Sequence, residues 1–153
     1  MEKIESFKLD HLTLKSGLYV SRRDSKNGMD TTTFDLRTIN PYIDPFMKGA
    51  AIHTFEHLGA TFFRNGTKSE DVIYFGPMGC KTGFYLVMFG KLEPEDIYED
   101  VLALCEFVIN FKGEIPGNKK EECGNYLYHN LELAKEIAKK YKLELTTNKR
   151  LKY

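Results

Sequence analysis

The chain carries no excess charge of either sign, and this limits the partners that it can recognise electrostatically. Its 153 residues include 22 Lys and Arg against 22 Asp and Glu, so the formal net charge is zero. A nucleic-acid-binding domain normally presents a basic field. A membrane-spanning helix needs roughly 18 apolar residues in a row, and the longest run here is Phe84–Phe89. We therefore expect neither nucleic acid nor a membrane as a partner.

The sequence also lacks internal repeats, low-complexity tracts, linkers and an apolar leader at its start. A hydrophobic content of 42% with 29% charged residues is typical of a globular protein. We expect a single domain over residues 1–153. Three cysteines without a secretory leader predict a cytoplasmic protein whose thiols are free for metal binding or catalysis.

Local patterns predict an α+β protein. β-branched and aromatic residues predict strands at about residues 17–23, 31–39, 71–75 and 84–89, the first two joined by the hairpin signal Lys26-Asn27-Gly28. Helical periodicity predicts helices over about residues 45–64, 94–112 and 120–141. Hairpins beside helices, without regular strand–helix alternation, predict an antiparallel sheet packed with helices.

Two of these helix boundaries rest on specific residues. Asp44 and Pro45 resemble an N-cap followed by a proline at the first helical position, and Gly66 offers a stop. The third helix is predicted from an apolar stripe at residues 127, 131, 134, 138 and 141, which Cys123 extends backwards. On that stripe Cys123 faces the core at a helix start, where the helix dipole favours a thiolate.

The first helix carries the motif HxxEH as His53, Glu56 and His57. At about 100° per residue these three side chains fall within an arc of about 100°, and two imidazoles at i and i+4 can share one metal ion. The glutamate can reach the ion's open coordination position as a base.

The remainder of that helix is apolar or small, with Ala51, Phe55, Leu58 and Phe62 opposite the motif. We therefore predict a central buried helix, in which a cation neutralises the motif's ionisable groups.

Two histidines leave the metal site one protein ligand short of the usual three. The candidates are Cys80, Cys105, Cys123, His11 and His129. Cys105 falls on an apolar helical face and is expected in the core. Cys80 lies in a loop of three glycines and a proline, where a thiol is a candidate acid or base. The residues alone leave Cys80 and Cys123 open as the third ligand.

Five blocks of sequence resemble the S-ribosylhomocysteine lyase (LuxS) family. They follow the family's order and span most of the chain: residues 5–11 (ESFKLDH), 34–37 (FDLR), 53–58 (HTFEHL), 77–83 (PMGCKTG) and 123–124 (CG). The resemblance implies a metal bound by His53, His57 and Cys123, natively one Fe(II) per subunit, for which zinc or cobalt can substitute. It also implies a homodimer with active sites at the subunit interface.

The resemblance further implies the reaction and the roles of other residues. The substrate is S-ribosyl-L-homocysteine, and the products are L-homocysteine and 4,5-dihydroxypentane-2,3-dione, the precursor of the quorum-sensing signal autoinducer 2. Cys80 and Glu56 match the family's acid/base residues. Ser6, His11 and Arg37 match positions that line the substrate pocket, where Arg37 could hold the homocysteine carboxylate.

One position departs from the family, and two other functions compete with a lyase. Tyr74 stands where many members have an aspartate that orders the pocket. An inverted-zincin peptidase also uses HxxEH, although its third ligand is usually a carboxylate and its domains are larger. A metal-dependent sensor would need neither Glu56 on the metal face nor Cys80 in a glycine loop.

Overall fold

Four antiparallel strands form a sheet in the order β1–β2–β4–β3. In the computed structural model, which describes residues 2, 4 and 7–153, the strands are β1 (Gly17–Lys26), β2 (Met29–Arg37), β3 (Val72–Pro77) and β4 (Phe84–Phe89). Asn27 and Gly28 both have positive φ, 54° and 79°. Two such residues make a tight turn whose twist matches that of the paired strands, so the predicted hairpin is confirmed.

Three helices complete the domain: α1 (Gly49–Asn65), α2 (Pro94–Asn110) and α3 (Leu131–Asn148). Helix α1 packs on β3 and on the other two helices, while α2 and α3 also contact β1. The core lies between sheet and helices, where Phe34, Phe55, Leu58 and Phe84 are fully buried. The predicted α+β domain with an antiparallel sheet is therefore confirmed.

The first helix begins later than predicted. Lys48, rather than Asp44, is the N-cap residue of α1. Asp44 instead accepts hydrogen bonds from the backbone N–H and the side-chain amide of Asn40, at 2.7 and 2.8 Å, and pairs with Lys140. Because the Asp44 carboxylate is bonded to Asn40 and Lys140, it does not cap a helix. The residues Asp44-Pro45 therefore lie in a loop before α1. The stop at Gly66 is confirmed.

The third helix lies further along the chain than residues 120–141. It starts at Leu131, since the Asn130 side chain caps it by accepting a bond from the Leu133 N–H at 3.0 Å. Its buried stripe runs from Ala134 to Leu145. Leu127, which the prediction placed on this stripe, is 80% exposed. Residues before 130 form turns, and the predicted position of Cys123 at the start of a helix is wrong.

Helix α1 is buried on one side only. Its inner residues, including Phe55 and Leu58, are inaccessible, whereas His53, Glu56 and His57 are half-buried. The helix thus holds the motif at the rim of the core, where the side chains remain reachable. Within the described part of the chain, no helix combines the length and apolar character needed to cross a bilayer.

Candidate active site

The side chains of His53, His57 and Cys123 form a cluster that can hold a metal ion. One ligand atom from each lies within 4.8 Å of the others, and the Cys123 Sγ is 3.4 Å from His53 Nε2. The two histidines come from successive turns of α1, as their spacing predicts, and their ring centroids are 4.4 Å apart. The cysteine comes from the turn-rich segment before α3.

Backbone carbonyls orient both imidazoles. His53 Nδ1 lies 2.8 Å from the Tyr128 carbonyl oxygen, and His57 Nδ1 lies 2.6 Å from that of Pro116. Each Nδ1 therefore carries the proton and donates it, which leaves both Nε2 lone pairs free for a cation. The segment between α2 and α3 supplies these carbonyls as well as the thiol, a role that sequence patterns did not reveal.

A local hydrogen bond, rather than a helix dipole, supports the Cys123 sulfur. The backbone N–H of Asn125 points to Cys123 Sγ at 3.4 Å. The sulfur therefore accepts this bond within a turn and does not lie at the helix start that the sequence suggested.

His129, one of the candidate ligands, packs against the cluster. Its ring stacks on that of His53 with centroids 4.3 Å apart, and its Nδ1 lies 3.1 Å from the Thr54 hydroxyl. Burial, followed by the nearby charges of His53 and His57, lowers the pKa of His129 to about 4. The ring is therefore neutral near pH 7 and forms an uncharged wall beside the ligands.

Cys80 is exposed and belongs to a second group of residues. It lies in the loop between β3 and β4, in a pocket whose walls also include Phe7, His11 and Arg37. Its Sγ is 3.0 Å from the hydroxyl of Thr82. The structure thus brings Cys80 together with two of the three residues predicted to line the substrate pocket. The third, Ser6, lies outside the described residues.

A buried ion pair stands behind this thiol. The side chains of Asp35 and Arg37 are 1% and 3% exposed and are in direct contact. Arg37 donates from its other terminal nitrogen to the Thr82 hydroxyl at 2.5 Å. Burial by itself would lower the pKa of Arg37, but the Asp35 carboxylate outweighs it and raises that pKa. Arg37 is therefore charged, buried and already bonded.

Gly83 of the Cys80 loop is needed for the packing of that loop on β2. A Cβ added to Gly83 would lie 2.4 Å from the Leu36 carbonyl oxygen, so only glycine lets the loop approach β2 this closely. Lys81 takes a positive φ of 60° and turns the chain. The close approach brings Thr82 to Arg37, and Thr82 was absent from the residues that sequence reasoning selected.

The two groups are separate within one subunit. The hydrogen bonds, ion pairs and ring contacts of residues 7–153 include none between Cys80 and the cluster of His53, His57 and Cys123. Glu56 lies on α1 between the two histidines and is half-buried. In its described part, one chain therefore carries a metal-type cluster and a supported thiol as two groups without a direct bond between them.

The fold and the site together define a class of protein. It is a small α+β protein in which two histidines on a half-buried helix and one cysteine from a neighbouring segment are arranged as metal ligands. The S-ribosylhomocysteinase (LuxS) family profile matches residues 4–152. The chain belongs to that family.

Named relatives cover nearly the whole chain. It is 52% identical over 141 residues to the S-ribosylhomocysteine lyase of Finegoldia magna, covering 92% of this chain and 90% of that protein. It is 48% identical to the S-ribosylhomocysteine lyase of Clostridium acetobutylicum, covering 100% and 99%. The Borreliella burgdorferi S-ribosylhomocysteine lyase is also 48% identical, with coverage of 97% and 94%.

Proposed function

We propose that residues 1–153 form one metal-dependent lyase domain that splits S-ribosyl-L-homocysteine into L-homocysteine and 4,5-dihydroxypentane-2,3-dione. Relatives of this name, 48–52% identical over at least nine-tenths of the chain, support the substrate. The main structural support for the reaction type is the presence of two groups. One is a cluster of metal-type ligands, and the other is an exposed thiol connected through Thr82 to a buried cation. One group suits a Lewis acid and the other suits proton transfer.

The donor set of the cluster fits a divalent metal. Two imidazole nitrogens and a thiolate are ligands that zinc, iron and cobalt accept, and three protein ligands leave a coordination position open. We propose Fe(II), one per subunit, held by His53, His57 and Cys123, with zinc or cobalt able to replace it. When bound, such an ion supplies Lewis-acid polarisation of the sugar carbonyl.

The protein's own residues move the protons. We propose that Cys80, as a thiolate, removes and returns protons at the sugar carbons as the carbonyl moves from C1 to C3. Glu56, beside the cluster, transfers protons between oxygens and serves in the elimination. In that step the C4 proton leaves, the C5–S bond breaks, and the departing sulfur takes a proton to become homocysteine. The atoms balance without water or a redox partner.

The amino-acid end of the substrate is assigned to the Cys80 pocket. We propose Ser6, His11 and Arg37 as its binding residues. The ends of the Arg37 fork are held by Asp35 and Thr82, and its Nε has no partner among the described residues. The pocket that Arg37 lines together with His11 and Cys80 supports this assignment. Tyr74 is half exposed on β3, where many members of the family have an aspartate.

We propose a homodimer in which each active site takes its two groups from different subunits. The hydrogen bonds, ion pairs and ring contacts of the described residues join Cys80 to Thr82 and not to the metal-type cluster, which supports this arrangement. Exposed apolar side chains that a second copy could cover support it too: Phe7, Tyr42, Ile43, Phe46, Leu127 and Tyr128.

Mixing two inactive variants tests this arrangement. Cys80→Ala and Cys123→Ala subunits, unfolded together and refolded, form mixed dimers in half of the random pairings. One of the two sites in a mixed dimer is then intact, so activity should return to roughly a quarter of wild type. No recovery in a mixture that contains mixed dimers would mean that each site is built from one chain.

The reaction itself is tested by incubating the purified protein with S-ribosylhomocysteine and measuring free homocysteine with a thiol reagent. Peptide cleavage without homocysteine release would favour the peptidase instead. We further propose a cytoplasmic location, supported by the free state of all three cysteines, and conversion of the dione to autoinducer 2 in quorum sensing.

A further inference from the structure

The side chain of Tyr153 reaches back from the segment after α3 to the buried ion pair. Its ring stacks on that of Tyr19 with centroids 4.4 Å apart, and its hydroxyl donates to Asp35 Oδ2 at 2.8 Å. The residue is 49% exposed, whereas the carboxylate that it contacts is 1% exposed. Burial, together with the Asp35 charge, raises the pKa of Tyr153, so the hydroxyl keeps its proton and remains a donor.

The segment that carries Tyr153 is anchored along β1. Lys149 has a positive φ of 43°, which turns the chain at the end of α3. The Arg150 carbonyl then accepts a backbone bond from Leu18 at 2.9 Å, and the Arg150 side chain donates to the Ser16 carbonyl at 3.2 Å. These bonds hold the segment against the sheet edge, so the position of the Tyr153 hydroxyl is set by the fold.

Successive contacts connect this hydroxyl to the Cys80 thiol. Asp35 Oδ2 accepts from both Tyr153 and Arg37. Arg37 donates to the Thr82 hydroxyl, and that hydroxyl lies 3.0 Å from Cys80 Sγ. Since the Thr82 oxygen already accepts from Arg37, its own proton is free to point at the sulfur.

We propose that Tyr153 is a positioning residue for the Cys80 thiol, acting through Asp35, Arg37 and Thr82. The inference rests on the acid/base role proposed above for Cys80. The Tyr153 hydroxyl takes up part of the negative charge of Asp35, so Arg37 is less completely neutralised. Its remaining positive charge polarises the Thr82 hydroxyl, which donates to the sulfur and favours the thiolate.

The test is the pH profile of Cys80 alkylation in Tyr153→Phe. This change keeps the ring stack and removes the donor. Iodoacetamide reacts with the thiolate, and peptide mass spectrometry separates Cys80 from Cys105 and Cys123. We expect the profile to move to higher pH and alkylation at pH 7 to slow by about threefold, the effect of weakening one charged hydrogen bond at a distance.

Tyr19→Phe is the matched control. It keeps the same pair of stacked rings, but its lost hydroxyl donates to the Lys15 carbonyl at 2.9 Å and not to Asp35. Its alkylation profile should match wild type. The effect of Tyr153→Phe should also vanish in a Thr82→Val background, because the connection to the sulfur is already broken there.

An unchanged profile, a move to lower pH, an equal effect in Tyr19→Phe, or failure of Tyr153→Phe to fold would each overturn the inference. The experiment distinguishes failure of the positioning role from failure of the proposed lyase reaction. A displaced profile in a protein that never releases homocysteine would refute the lyase and leave the positioning role standing. Normal homocysteine release with an undisplaced profile would refute the positioning role alone.

Discussion

The metal-type cluster and the Cys80 group are built on opposite principles. His53, His57 and Cys123 are half-buried, and backbone carbonyls orient the two imidazoles. Cys80 is exposed, yet the charged pair next to it is almost completely buried. The metal-type cluster keeps its ligand atoms at the rim of the core, and the main chain orients its imidazoles. The Cys80 group exposes its sulfur and buries the ion pair that supports it.

This difference has a physical reason. Ligands for a cation must be neutral imidazoles or a thiolate with free lone pairs, and carbonyl acceptors on Nδ1 secure the required tautomer at little cost. A thiol that exchanges protons needs a nearby positive charge, and a guanidinium keeps its field strong only where water does not screen it. Burial keeps the Arg37 charge away from solvent, as the acid/base role proposed for Cys80 requires.

The largest expected effect separates the two groups by turnover. Cys80→Ala should lose at least about 10²–10⁴-fold in homocysteine release, because the proposed mechanism assigns several proton transfers to this one thiol. It should keep its metal, since Cys80 does not belong to the ligand cluster found among the described residues. Thiol release and metal content are measured on the same preparation, with Cys105→Ala as the cysteine control. Near-normal turnover by metal-loaded Cys80→Ala would contradict the acid/base role of this thiol.

The reverse change removes metal. Cys123→Ala takes away one of three ligands, so the purified protein should contain far less metal than either wild type or Cys80→Ala. Elemental analysis by mass spectrometry measures the content per subunit. Full metal occupancy in Cys123→Ala would rule out this ligand set and return the third position to another candidate.

A third change addresses the buried support. Asp35→Ala leaves Arg37 buried without its counter-charge, so the free energy of unfolding should fall by about 3–5 kcal/mol. Urea denaturation measures the loss. Asp24→Ala is the matched control, since its pair with Arg22 is exposed on both sides and should contribute nothing measurable. If both changes lowered the free energy of unfolding equally, the buried Asp35–Arg37 pair would stabilise the fold no more than an exposed pair does.

The smallest effect comes from Cys105, which belongs to neither group. Burial raises the pKa of the Cys105 thiol to about 12. When the pH exceeds the ordinary pKa of a cysteine, this thiol ionises in the unfolded state but not in the folded state. Ionisation favours the unfolded state, so the free energy of unfolding falls as the pH rises. Between about pH 9 and pH 10.5 wild type should lose about 2 kcal/mol more than Cys105→Ala. Parallel pH profiles in urea denaturation would contradict this.

Local signals predicted the sheet better than the helix boundaries. The hairpin at Asn27-Gly28 and the strand Phe84–Phe89 depend on turn chemistry and on residues a few positions apart, and both are confirmed. The start of α3 was predicted too early because Leu127 has the spacing of the helix's apolar residues, although it lies outside the helix. A stronger local feature, the Asn130 cap, starts the helix later.

The histidine spacing determined the heart of the metal-type cluster by itself, because residues at i and i+4 of a helix are neighbours whatever the rest of the chain does. The choice between Cys80 and Cys123 lay beyond local rules, and it took the family resemblance to name Cys123 before the fold was known. Only the tertiary structure decided that Cys123 approaches His53 and that Arg37 pairs with Asp35 and reaches Thr82. Those contacts depend on the segment between α2 and α3, which runs along α1, and on the position of β2 beside the β3–β4 turn, where residues distant in sequence meet.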